Sequence, residues 1–177
     1  MVERSDGPSN AADRRTVFIS IEGEATGLTA ECGSLDTMAK VLDTLEQTHG
    51  RQDLRAFSIS VEDSDDDTAA TVAVQDALRG ERRGRIHLHH CHSVYVAVEY
   101  NNESLTHGFT PASTVQRVLK WAVSPQGLNV EGDVHDLALQ VAGTTVPLAP
   151  NVHIGTLLSN RRCELSLELV PKDRPQG

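Results

Sequence analysis

The chain has 177 residues, 38% of them hydrophobic and 23% charged, with a formal net charge of −9 at pH 7. That length suits one medium domain or two small ones, and no apolar run approaches the roughly 20 residues that spanning a bilayer requires. The acidic balance argues against nucleic acid as the main partner, because phosphate binding needs clustered Lys and Arg.

Residues 1–15 carry charges with no apolar stretch behind them. The expectation is a disordered N-terminal segment without a secretory signal, and a cytoplasmic location. The three cysteines, Cys32, Cys91 and Cys163, are odd in number and widely spaced, with no CxxC. They are expected to be reduced structural thiols.

The first predicted strand, residues 16–22, alternates apolar Val17, Ile19 and Ile21 with more polar neighbours. Gly23 and Gly27 supply a turn, and residues 28–32 return as a second strand. Ser34 is a candidate N-cap for a helix over 35–47, in which Leu35, Met38, Val41, Leu42 and Leu45 share one face. Gly50 ends it. Residues 56–61 alternate as a third strand, residues 72–78 form a short strand or turn, and residues 85–89 close the unit. The acidic run from Glu62 to Asp67 reads as a solvated loop, since it lacks the glycine and distal glutamate of an EF-hand.

The pattern then repeats, with Val94 lying 77 residues after Val17. Residues 94–100 alternate again, Asn101 and Asn102 supply the turn, and residues 104–109 form the partner strand. Thr110 is the candidate cap, with Pro111 at the first helical position. Val115, Val118, Leu119 and Ala122 make the apolar stripe before Ser124-Pro125 stops the helix. Residues 137–141 alternate, residues 146–158 match the earlier short segment, and residues 164–169 close the second unit.

A hairpin followed by one crossover helix can bury a single helix face against one face of a mixed sheet. The crossover lets the first and last strands pair in parallel at the sheet centre. The expected fold class is therefore α+β: two tandem β-grasp domains at residues 16–91 and 92–170, followed by an extended tail at 171–177. His87, His89, His90 and His92 with Cys91 sit at the junction. With Ile86 and Leu88 taking the inward positions, His87 and His89 are expected to face solvent, and residues 90–93 to form a short linker. No metal site or cofactor is assigned. The sequence contains no GxSxG, Walker A or HExxH, so no enzyme is expected.

Residues 137–143 resemble the ubiquitin strand that ends in Phe-Ala-Gly, and residues 163–169 resemble that family's final strand. The resemblance to the ubiquitin-like proteins covers about 94–177, whereas about 16–90 resemble them in pattern only. Two such units in one short chain are similar to the vertebrate interferon-stimulated tandem modifier and, more closely, to the bacterial proteins named after it. This resemblance implies a protein modifier of bacterial antiphage defence. It also implies an activating enzyme, a conjugating enzyme, a deubiquitinase-like peptidase and target proteins, phage structural proteins among them, as partners.

The tail, with Pro171 and Pro175 and no apolar periodicity, reads as extended. Conjugation would carry the C-terminal carboxylate through an acyl-adenylate and thioesters to an isopeptide bond, in channels that a side chain would obstruct. Gly177 is thus the expected conjugation residue, with Arg174, Pro175 and Gln176 as tail contacts. Ubiquitin ends in Leu-Arg-Gly-Gly where this chain has Arg-Pro-Gln-Gly. Carried over by position, ubiquitin's hydrophobic recognition patch falls on Gln140, Ser166 and Glu168, so a different recognition surface is implied. A non-conjugated β-grasp adaptor and a sulfur carrier share the fold class.

Overall fold

The computed structural model describes residues 13–24, 26–62, 64, 66–130, 136–158 and 162–172. The first unit comprises β1 (Arg14–Ile21), β2 (Leu28–Gly33), helix α1 (Met38–His49), a 3₁₀ turn (Leu54–Ala56), β3 (Ser58–Val61), the one-turn helix α2 (Val74–Ala77) and β4 (Arg83–His89). The second repeats the plan with β5 (Val94–Tyr100), β6 (Glu103–Phe109), α3 (Val115–Val123), β7 (Leu137–Val141), a 3₁₀ turn (Ile154–Leu157) and β8 (Glu164–Pro171). The sheets run β2-β1-β4-β3 and β6-β5-β8-β7. In each, the first and last strands pair in parallel at the centre, Ile19 opposite Ile86 and Val98 opposite Leu167. The fold is α+β, two tandem ubiquitin-like β-grasp units.

The alternation read from sequence sets which strand faces are buried. Val17, Ile19, Ile21, Ile86 and Leu88 are at most 4% exposed and receive Met38, Val41, Leu42 and Leu45 of α1. Val94, Val96, Val98, Leu165, Leu167 and Leu169 form the second core with Val115, Val118 and Ala122 of α3. Each large apolar side chain so buried contributes about 1.5–3 kcal/mol. Trp121 packs at the core edge, stacked on His107 and edge-on to Phe109. The β5–β6 hairpin turns on Asn101 and Asn102, both with positive φ, in the sense that matches strand twist.

Both helices start later than their sequence signals suggest. Ser34 and Thr110 do not cap; Thr37 and Thr114 do, accepting from the amides of Lys40 and Arg117. The reason is the same in each unit. The amides of Met38 and Ala39 donate to the carbonyls of Val72 and Ala70, and those of Val115 and Gln116 to the carbonyls of Val152 and Pro150. The segment before the closing strand therefore meets two of the orphan helix amides, and the cap threonine meets another. Ser34 instead hydrogen-bonds Asp13, and Leu35, expected on the apolar face, is 72% exposed. Gly50 ends α1 in the left-handed conformation, as its position suggests.

Candidate functional site

Two regions carry the residues singled out from sequence: the β7–β8 surface leading to the C-terminal tail, and the junction between the units. β8 lies between β5 and β7, so the chain leaves the second sheet from a strand paired on both sides. The amide of Lys172 donates to the carbonyl of Asp136 just past that strand, at 2.7 Å. Arg174, Pro175, Gln176 and Gly177 lie outside the described residues.

Gln140 and Glu168 are cross-strand partners. Gln140 Nε2 donates to Glu168 Oε2 at 2.6 Å, and the amide of Gly143 donates to Glu168 Oε1 at 3.1 Å. Ser166 is exposed two residues before Glu168 on β8, whereas Gln140 is buried. The three residues thus form a polar strip in which one carboxylate gathers two donors.

The junction differs from the solvent-facing linker expected from sequence. His87 and His89 are 8% and 4% exposed, because the outer face of β4 is covered by the second unit. The His87 ring lies 4.3 Å from that of His153, centroid to centroid, and His89 Nε2 lies 3.3 Å from the carbonyl oxygen of Gly155. Gly155 is required here, since a Cβ would sit 2.9 Å from both the Cβ and the carbonyl oxygen of Pro111. Alternation correctly sends Ile86 and Leu88 into the first core, but a second domain covers the opposite face.

The acidic run contributes to the same contact and is not simply a solvated loop. His153 Nε2 lies 3.1 Å from Glu62 Oε1, and the Arg85 guanidinium lies 3.6 Å from that oxygen. Thr110 Oγ1 donates to the carbonyl of Ser64 at 3.0 Å, and His92 Nδ1 lies 2.6 Å from Asp67. A cleft of about 490 Å³, lined by residues that include Ser20, Glu22, His87, Pro111, His153 and Thr156, opens between the units.

Electrostatics at the junction follow from burial. Burial, then the neighbouring His153, Arg85 and His89, pushes the His87 imidazole down to about 4. Burial also lowers His89, against the opposing pull of Glu22. For Glu22 burial acts upward, but hydrogen bonds from the backbone and ring of His90 leave it below the usual carboxylate range.

Cys91 and Cys163, expected as reduced thiols, form a disulfide with their Cα atoms 5.7 Å apart. Parallel pairing of β5 and β8 creates this proximity, because each cysteine precedes one of the two strands and the amide of Tyr95 donates to the carbonyl of Cys163. Cys91, placed in a linker by its sequence position, is 1% exposed and packs in the second core. Cys32 is a free thiol that burial, with Asp36 and Glu31 nearby, pushes up to about 11. Among the described residues, two groups bring three metal-ligating side chains within 4.8 Å of one another: His89, His90 and Cys91, and Glu62, His87 and His153. In the first, the sulfur is committed to the disulfide.

Two β-grasp units, each with a helix packed on a mixed sheet, give the chain a tandem ubiquitin-like fold. Residues 95–172 match the family model described as BilA ubiquitin-like domain 2, which supports a ubiquitin-like family. No curated protein matches the chain. Among the described residues, no helix is long and apolar enough to cross a membrane.

Proposed function

We propose that this chain is a ubiquitin-like protein modifier, attached through Gly177 to target proteins in bacterial antiphage defence. The observation that carries the reading is the match of residues 95–172 to the BilA ubiquitin-like domain, on a sheet whose central strand leads directly into the C-terminal segment. An ATP-dependent activating enzyme adenylates the Gly177 carboxylate with release of pyrophosphate, a cysteine thiolate displaces AMP to give a thioester, and a lysine amine displaces the thiol to leave an isopeptide bond. Arg174, Pro175 and Gln176 line up in the enzyme channel ahead of the reacting carbon. A deubiquitinase-like peptidase reverses the attachment. Ser166 and Glu168 provide a polar recognition surface unlike the apolar patch of ubiquitin, while Gln140, expected on that surface, is buried and instead holds the Glu168 carboxylate. In this reading the chain supplies the group transferred and its enzymes supply the catalysis.

The test is thioester formation on the cognate activating enzyme. It should require ATP, be reversed by reductant, and disappear on deletion of Gly177 while the unfolding transition is unchanged. A bulky residue at Gly177 should also abolish transfer, whereas Gln176→Ala should retain substantial activity. If the Gly177 deletion still protects cells at full strength, the tail is not the reacting end and the chain acts as a β-grasp adaptor.

A further inference from the structure

We propose that Glu62, His87 and His153 form a binding site for a divalent transition-metal ion that joins the two β-grasp units. Glu62, just past the end of β3, and His87, on β4, belong to the first unit, and His153 precedes the 3₁₀ turn of the second. Their ligand atoms lie within 4.8 Å of one another. Around tetrahedral zinc, ligand atoms sit about 3.3 Å apart, so the widest pair must close by no more than about 1.5 Å. Glu62, a half-buried side chain, can supply that movement by rotation.

A second observation points to a ligand. His87 is 8% exposed, yet its Nε2 has no hydrogen-bond partner. An orphaned buried ring nitrogen forfeits about 1–3 kcal/mol. A metal ion would satisfy it, and the His153 ring tilted 4.3 Å away is placed to share the ion. Glu62 Oε1, already 3.1 Å from His153 Nε2, supplies the negative charge that two neutral imidazoles lack. Two imidazoles and one carboxylate suit zinc and its first-row neighbours, whereas calcium and magnesium prefer oxygen throughout. Arg85, 3.6 Å from the same carboxylate, acts as its outer partner and must yield some of that contact to the ion. His87 and His153 also line the interdomain cleft, which leaves room for water in a fourth position. The consequence is mechanical as well as chemical: a single ion held by side chains of both units would add a fixed tie to the contacts already made across their polar interface.

The experiment uses the full chain, free of any affinity tag and with its disulfide intact. Zinc titration by calorimetry should show one saturable equivalent. Cobalt substitution should give the visible bands of a nitrogen- and oxygen-ligated ion without a thiolate charge-transfer band. His87→Ala, His153→Gln and Glu62→Gln should each weaken binding by at least about tenfold. His153 is the less buried histidine, so its variant keeps the test open if His87→Ala fails to fold. Zinc should raise the thermal midpoint of the parent chain and leave that of His153→Gln unchanged. The proposal is overturned if folded chain takes up no equivalent of zinc, or if His153→Gln binds as tightly as the parent. It is also overturned if cobalt shows a thiolate band, which would put the ion at Cys32, the free thiol of the oxidised chain.

Discussion

Replacing Cys163 with serine removes the bridge between residues separated by 72 positions in the chain. Loop closure of that length restricts the unfolded ensemble enough to stabilise the folded state by about 4 kcal/mol. Whole-domain stabilities are about 5–15 kcal/mol, so the loss is a large part of the second unit's margin. Trp121 is the single tryptophan and lies on α3, so its fluorescence reports on that unit alone. Urea unfolding followed by Trp121 should show a much lower midpoint for Cys163→Ser, and reductant should shift the parent chain equally. Thiol titration of the oxidised chain in denaturant should count Cys32 alone, rising to three thiols after reduction. In the native state Cys32 should react slowly, because its thiol sits at about 11 and is almost wholly protonated at neutral pH. Three reactive thiols without reductant, or an unchanged midpoint in Cys163→Ser, would refute the reasoning.

Thr114→Ala removes the hydroxyl that accepts from the Arg117 amide, and should cost about 1 kcal/mol in the same Trp121 transition. Gly155→Ala forces a Cβ to 2.9 Å from Pro111 inside the second unit and to 3.2 Å from the His89 ring across the junction, and should cost about 1–3 kcal/mol, visible as a lower Trp121 midpoint and as loss of hydrogen-exchange protection at the Gly155 amide. If the chain is a modifier, its only lysines are Lys40, Lys120 and Lys172. A reconstituted reaction should then give mostly single attachments by mass spectrometry, and long homotypic chains would contradict this.

The repeat, the strand order and both cores were legible because alternation at Val17, Ile19 and Ile21, and again at Val94, Val96 and Val98, specifies a buried face directly. The helix starts were misread by three or four residues, since Ser34 and Thr110 are good local caps. What displaced them was non-local: carbonyls of residues 70 and 72, and of 150 and 152, bond the helix amides. The histidines were misread for a related reason. Period two shows which residues face a sheet's own helix, and it is silent on whether another domain lies over the opposite face. The cysteine pair left a usable signal. Once the first and last strands are expected to pair in parallel, Cys91 and Cys163, each just ahead of one of those strands, become neighbours, but counting cysteines without that topology misses them.

The parallel pair β5 and β8 also determines how this protein would carry load. Tension between the start of β5 and the far end of β8 slides two central strands past each other, so their hydrogen bonds resist together and cannot unzip one at a time. The bridge shortens the route further. Force entering at Cys91 crosses to Cys163 and runs out along β8, leaving the 72-position loop slack. At roughly 3.4 Å per extended residue, reduction followed by shearing of β5 from β8 would release about 240 Å of hidden length. A machine pulling on the C-terminal end would meet a short, stiff tether in oxidising surroundings and a long, yielding one in reducing surroundings.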